Sequence, residues 1–483
     1  MTSTAEQTTR PAIDPAIDIS GLQPFAVRPT RRLFLGFDDA TGQRRWTNQL
    51  RDSLAIVGPP GYGKTSGVLI PNLLSWDGPM VSTSTRGDLL QATGDQRRRL
   101  AEPHGQVYIY DPFGTEPGVR SMGWSPHAGC KDASVAYRRA AAMTTTSTHG
   151  LAGAGHWRTG ASRILRGVFH AAALADQPLS VVRSWLTLME LDQPVEILRT
   201  HPDAARGWSD DLNGINRVAD RERSSFYSAA INAIDATVEP VVLDSTELAG
   251  LDVDLFLATK SSLFVVGPRH LQEQVAPLIV GIIESISDRA SEIAAANGGV
   301  LTDPLLLALD EVANIAPIPS LPEQVSEGGG RGKVTIWTAQ SLAAMRERYG
   351  EHQAQAILTA TTAKLIQGGM SSGTDLRNVS DWAGELREPS ATFYQSGVDM
   401  QRGRSNGFAA GHDTDRQHSI TRQYRPVLPI QEIQQLSPFH AWMFYRSDQP
   451  VLVRTPPAAL VDAFAAVSGW TPDEVAAAAG SPV

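Results

Sequence analysis

Cysteine is all but missing from this chain. Cys130 is the single one in 483 residues, so no disulfide within the chain is possible, which fits a reducing cytosol. It reads as a small apolar filler. Long apolar runs are missing too: no stretch reaches the length of about 18 uninterrupted residues that a membrane-spanning helix needs. Residues 1–20 lack the basic start and apolar core of a secretory leader and carry Pro11 and Pro15, so they read as a flexible arm. Cationic excess is also lacking. With 42 Lys and Arg against 51 Asp and Glu, the net charge is −9. Any grip on nucleic acid must come from a local patch or an oligomeric pore. Internal repeats and long low-complexity tracts are absent as well. What remains is ordinary apolar content, enough for a large core, in a length that suggests about three domains or two with a large insertion.

Against these absences stands the segment Gly58-Pro59-Pro60-Gly61-Tyr62-Gly63-Lys64-Thr65. It has the G-x-x-x-x-G-K-[ST] pattern of a phosphate-cradling loop. The apolar run Leu54-Ala55-Ile56-Val57 before it reads as a buried strand, and helix formers follow from Lys64 to Leu74. A glycine-rich turn between strand and helix aims backbone N–H groups at an anion. The predicted cradle is Gly58 to Lys64 with Thr65 and Ser66. Lys64 neutralises the outer phosphates of a nucleoside triphosphate and the Thr65 hydroxyl ligates its Mg²⁺. Pro71 should kink or end the helix near Ile70.

Strands are predicted at Leu33–Gly36, Pro79–Ser82 and Val107–Tyr110, with a helix over Asp88–Leu100. Strand and helix in alternation is the rhythm of a parallel sheet with helical crossovers. From about Ala133 to Val242 that rhythm gives way to Ala-, Leu-, Arg- and Ser-rich stretches that read as helical. Alternation resumes at Ser262–Gly267, and Val275, Leu278, Ile279, Ile282, Ile283 and Ile286 mark a core-facing helix. Further strands are expected at Leu305–Leu309, Val334–Trp337, Thr362–Ile366, Trp442–Tyr445 and Val451–Val453. Gln401–Ser419 reads as a loop or lid, and Ala458–Ala479 as a helical tail. The predicted division is a 1–32 arm, a nucleotide-binding part at 33–132, an all-α insertion at 133–250, a second nucleotide-binding part at 251–457, and a tail at 458–483.

The strand Leu305–Leu309 ends in Asp310-Glu311. A P-loop enzyme needs an acid at the end of a neighbouring strand for its Mg²⁺ shell, which is the role of Asp310. A second acid beside it polarises the attacking water, which is the role of Glu311. Gln340, at the end of the next strand, is the candidate sensor of the terminal phosphate. Arg331, in the loop Gly328-Gly329-Gly330-Arg331-Gly332, is a candidate arginine finger toward a neighbouring subunit, or a DNA contact. The cluster Arg97-Arg98-Arg99 reads as a solvated helix face. Arg402, Arg404 and Arg416 could track a phosphate backbone from a pore loop, and His156-Trp157 reads as packing.

With these residues in hand the chain resembles the TraG/TraD family of type IV coupling proteins, conjugative DNA-transfer ATPases within the FtsK/HerA-like group. Gly63-Lys64-Thr65-Ser66-Gly67-Val68-Leu69-Ile70-Pro71-Asn72-Leu73-Leu74 looks like that family's phosphate loop and helix. Leu309-Asp310-Glu311-Val312-Ala313-Asn314-Ile315 is similar to its Mg²⁺ strand. Gly330-Arg331-Gly332, Ala339-Gln340-Ser341 and Arg425-Pro426-Val427-Leu428 are similar to its later motifs. The resemblance implies an α/β, RecA-like P-loop NTPase with a mainly parallel central sheet and an inserted all-α domain. It implies ATP and Mg²⁺ as ligands, a ring of six subunits, and transport of single-stranded DNA or a relaxase–DNA complex to a secretion channel. A switched cargo receptor without translocation, or a pump for other DNA, is the alternative. The family's usual N-terminal membrane anchor is not seen, so the expectation is a cytoplasmic protein, peripheral at the inner face of the membrane and docked on a separate anchor protein. Ser84 stands where the family often has aspartate.

Overall fold

The computed structural model describes residues 17–148, 154–393 and 418–468. Eleven strands form one sheet: β1 (Phe34–Asp38), β2 (Arg44–Trp46), β3 (Leu54–Val57), β4 (Met80–Ser84), β5 (Val107–Tyr110), β6 (Ser262–Val266), β7 (Leu305–Leu309), β8 (Lys333–Ala339), β9 (Ala363–Gln367), β12 (His440–Tyr445) and β13 (Val451–Arg454). The remaining two, β10 (Glu385–Phe393) and β11 (His418–Pro426), pair only with each other. The order across the large sheet is β2-β1-β13-β12-β9-β3-β8-β7-β4-β6-β5. From β9 to β5 the neighbours are parallel; from β9 back to β2 they are antiparallel. β3, β4, β6, β7 and β8 are buried at every residue. Continuous apolar runs such as Leu305–Leu309 are therefore the expected form of strands covered on both faces. The helix Gln272–Ala296 buries Val275, Leu278, Ile279, Ile282, Ile283 and Ile286. Between β5 and β6 every regular element among the described residues, from Ala133 to Ala258, is helical.

Residues 370–435 form a compact unit of their own, made of the helix Gly373–Ala383, the β10–β11 hairpin and the short helix Ile430–Gln434. The other unit is the remainder of the chain.

Several expectations need correction. The helix after the phosphate loop does not end near Ile70 but changes type there, so Pro71 disturbs the helix where expected without stopping it. It begins as a wide π-type turn over Lys64–Leu69, closed by the Ile70 N–H on the Thr65 carbonyl, and continues as an α-helix over Ile70–Ser75. A proline ring at 71 would strike the carbonyl of Gly67 in a regular α-turn, and the wide turn relieves this. Arg97 is not on a solvated face: it is fully buried. Residues 17–32, read as part of a flexible arm, lie along the core. Phe25 packs 5.2 Å from the ring of Phe464, and Thr30 N–H donates to the Ser75 carbonyl at 2.7 Å. The tail is helical only over Ala458–Leu460 and Asp462–Ala465, because Val461 between them is extended; residues 469–483 lie outside the described residues. So do Arg402, Arg404 and Arg416, and most of the 401–419 loop, whose last two residues open β11.

Candidate functional site

The parallel register decides which side chains meet. Val57 lies opposite Ala339, and Leu309 opposite Trp337. The residues that follow these strands (Gly58, Gln340 and Asp310) therefore emerge at one end of the sheet. This is the end where open parallel sheets bind ligands. A cleft of ≈ 400 Å³ opens there, lined by Pro60, Gly61, Gly63, Lys64, Thr65, Ser66, Asp310 and Glu311 among others.

Gly63 begins the helix at φ +91°, and a Cβ on it would come within 2.4 Å of the Phe439 ring. Only glycine fits that combination. The loop then turns into a helix whose first N–H groups have no partner within the helix, the usual anion-binding end. The cradle divides its work. Gly58 and Pro59 hold Lys64 through their carbonyls, at 2.7 and 3.0 Å from Nζ. The Tyr62 carbonyl accepts from Gln367 Nε2 and from the Phe439 N–H.

Thr65 Oγ1 donates to Asp310 Oδ2 at 3.1 Å, and Thr338 Oγ1 donates to Asp310 Oδ1 at 2.6 Å. Thr83 Oγ1 donates to the Asp310 carbonyl. Asp310 is thus oriented from two strands and from the first turn of the helix after the phosphate loop. Burial pushes its carboxyl up to about 6, with Asp88 and Glu311 adding and the Thr338 bond and Lys64 opposing. Burial likewise pulls Lys64 below the ordinary lysine range, against the attraction of Asp310 and Glu311. A divalent cation beside Asp310 would favour its ionised form.

Glu311 takes a left-handed backbone, φ +45°, with its N–H on Thr338 Oγ1. That unusual conformation turns the side chain into the cleft, as strained backbone often does at working sites. Gln340 Nε2 donates to Glu311 Oε1 at 2.8 Å, while Oε2 is buried and has no hydrogen-bond partner among the described residues. An orphaned acceptor beside the cleft suits a bound water that must lose a proton. The donor set (two carboxylates, a threonine hydroxyl and a lysine) suits Mg²⁺ and phosphate oxygens.

The structure brings together Lys64, Thr65, Asp310, Glu311 and Gln340. It does not bring Arg331 to them. Arg331 is in the turn Gly328–Arg331, before β8, and pairs with Glu327 at 3.7 Å. β8 then runs to Ala339 before Gln340 begins. At about 3.3 Å per residue, roughly 20 Å separates the two along the strand. Sequence reasoning missed Thr338, Asp88 and Arg269. Thr338 is adjacent to Asp310 only through register. Ser84 Oγ donates to Asp88 Oδ1 at 2.8 Å, and Asp88 has a carboxyl raised by burial. An aspartate at 84 would set a third buried carboxylate beside Asp88 and Asp310; serine supplies a donor in its place.

A parallel sheet with this cleft at its carboxyl end defines a RecA-like P-loop NTPase fold. Residues 304–438 match the family model described as the TraM recognition site of TraD and TraG. The chain is 22% identical over 320 residues to a conjugal transfer protein TraG of Agrobacterium fabrum, a match covering 62% of this chain and 46% of that protein. It is similar in fold to the bacterial conjugative coupling protein TrwBdeltaN70, at TM-score 0.62 and 18% identity over 89% of this chain and 88% of that one. It is also similar to TrwB in complex with ADP and Mg²⁺, at TM-score 0.60 and 17% identity over 90% of each chain, and to TrwB with a non-hydrolysable ATP analogue, at 0.60 and 16% over 90% of each. The chain is thus similar to TraG/TraD-type coupling proteins, and its match spans about half the length of the curated relative. No described helix is long and apolar enough to cross a membrane.

Proposed function

We propose that this chain is the ATP-driven coupling protein of a conjugative type IV secretion system, which recruits a relaxase–DNA complex and moves single-stranded DNA to the channel. The observation that carries the reading is the meeting of Lys64, Thr65, Asp310, Glu311 and Gln340 at one cleft. Glu311 takes the proton of the attacking water and Gln340 fixes the carboxylate that does so. Lys64 and the loop N–H groups hold the phosphates, and Thr65 with Asp310 hold Mg²⁺, which supplies charge neutralisation at the transferring phosphoryl group. TrwB with ADP and Mg²⁺, and with an ATP analogue, supports these ligands, and the match to the TraM recognition site supports a relaxosome partner. The ring reading gains support from Arg331. It stands far from its own chain's cleft and exposed, where a neighbour's site can use it. We place the ring at the inner face of the membrane, where its cargo enters the channel.

The test is ATP turnover with and without single-stranded DNA. DNA-stimulated hydrolysis should collapse in Lys64→Ala and in Glu311→Gln, the second still binding nucleotide. Turnover indifferent to DNA, alongside tight relaxase binding, would instead support a switched receptor. Wild-type rates in both variants would remove the site assignment.

A further inference from the structure

The loop after β6 brings an arginine to the cleft that no motif announces. Gly267 donates its N–H to the Ser84 carbonyl at 2.9 Å, and a Cβ on it would come within 2.9 Å of Ile279 and 3.1 Å of Ile315. Pro268 follows with its φ set by the ring. The backbone that presents Arg269 is therefore fixed, while its side chain is 54% exposed. Arg269 Nη2 stands 3.6 Å from Glu311 Oε1, the oxygen that already accepts the short Gln340 bond. Arg269 also lines the cleft with Lys64 and Thr65.

A long, half-exposed ion pair of this kind adds little to stability. The guanidinium is thus free to be drawn elsewhere by a stronger partner. A terminal phosphate is such a partner, since a planar guanidinium matches phosphate oxygens and its hydrogen bonds to anions are strong. Lys64 holds the phosphates from the loop side, and Arg269 enters from the Glu311 side, where a terminal phosphate meets its attacking water.

We propose that Arg269 is a cis-acting reader of the terminal phosphate: its guanidinium binds the outermost phosphoryl group while remaining within reach of Glu311, and so ties the presence of a triphosphate to the placement of the base. This rests on the reading of the cleft as a triphosphate site. A diphosphate leaves Arg269 without that partner, so binding of the two ligand classes depends on it differently.

The experiment measures affinity for Mg²⁺–ADPNP and for Mg²⁺–ADP in wild type, Arg269→Ala and Arg269→Lys, and turnover in the same proteins. Arg269→Ala should weaken ADPNP at least about tenfold, leave ADP within about twofold, and lower kcat by about a hundredfold, the range seen when one transition-state donor is removed. Arg269→Lys should restore part of the ADPNP preference but little of kcat, because an ammonium cannot span phosphate and carboxylate. If both ligands weaken alike, or neither does, Arg269 does not read the terminal phosphate. Arg269→Lys carries the comparison should Arg269→Ala fail to fold. A wild type that binds neither nucleotide removes the reading of the cleft itself. A wild type that binds but never hydrolyses removes the hydrolase reading alone, and the ADPNP-against-ADP comparison still decides Arg269.

Discussion

Thr65 and Asp310 lie 245 positions apart in the chain and share a hydrogen bond of 3.1 Å. The bond ties the phosphate loop to the acidic strand before any cation is considered. It also sets two hard oxygen donors side by side, where such a cation would be held. Thr65→Ala removes one ligand and frees one side of Asp310. The expected result is a rise of about tenfold or more in the Mg²⁺ concentration needed for half-maximal nucleotide binding, a loss typical of disturbed metal shells. Thr65→Ser should recover most of it. Titration of fluorescent nucleotide binding with Mg²⁺ measures both; equal Mg²⁺ dependence in wild type and Thr65→Ala would remove Thr65 from the cation site.

Asn72 is a buried polar residue of the helix Ile70–Ser75, and the structure shows why it is there. Its Oδ1 accepts from the Phe34 N–H at 2.8 Å, and its Nδ2 donates to the carbonyls of Phe34 at 3.0 Å and Val68 at 2.8 Å. All of this is buried. Asn72→Leu keeps the volume but leaves the Phe34 amide and carbonyl unpaired, at about 1–3 kcal/mol per orphaned group. The expectation is a loss of about 2–4 kcal/mol by denaturant unfolding. An unchanged midpoint would show that the Phe34 backbone finds other partners.

Much of this was legible in advance, and what was not has a common cause. Asp310 and Glu311 could be read because an unbroken apolar strand running into two acids leaves few other roles for them. Lys64 and Thr65 could be read because their spacing is local. Thr338 could not, since its place beside Asp310 follows from the pairing of β7 with β8, and parallel register leaves no mark in the sequence. Arg97 looked like its neighbours Arg98 and Arg99, yet its guanidinium is satisfied by the carbonyls of Trp76 and Gly78 and by Ser262 Oγ. Those partners lie well away from Arg97 in the chain, one of them on β6, and burial pulls the Arg97 guanidinium down to about 10. The β10–β11 pair was missed because Pro389 falls inside β10, and proline argues against a strand except at an edge.

A buried polar cluster makes a pH prediction. Glu284 accepts from the Ser320 N–H and Oγ, and Lys333 donates to Ser287 and Ser291 Oγ. Burial pushes Glu284 up to about 7 and Lys333 down to about 8. Between the ordinary glutamate value and about 7 the folded chain holds a proton that the unfolded chain has lost, so this contribution falls as pH rises. Between about 8 and the ordinary lysine value the unfolded chain holds the extra proton, so stability rises again with pH. The two together give a minimum near pH 7–8, with each limb worth at most about 3 kcal/mol. Glu284→Gln should flatten the acid limb and Lys333→Met the alkaline one, read as unfolding midpoints against pH. Parallel curves for wild type and both variants would show that neither group titrates across these ranges.

The position of Arg331 yields a prediction about neighbours. It sits before β8, whereas Gln340 and the cleft lie after it, so a finger role can only be played on an adjacent subunit. Lys64→Ala subunits have an intact Arg331 and a dead cleft; Arg331→Ala subunits have an intact cleft and no finger. Each alone should show little turnover. Mixed in equal parts and assembled on DNA, about a quarter of the interfaces in a cyclic ring pair a sound cleft with a sound arginine. ATPase activity should therefore reappear on mixing, peaking near equal proportions, while mixtures of Lys64→Ala with Glu311→Gln stay inactive because both lesions lie in the same cleft. If mixing restores nothing and Arg331→Ala alone hydrolyses at the wild-type rate, Arg331 serves DNA or the loop rather than a neighbour's phosphate.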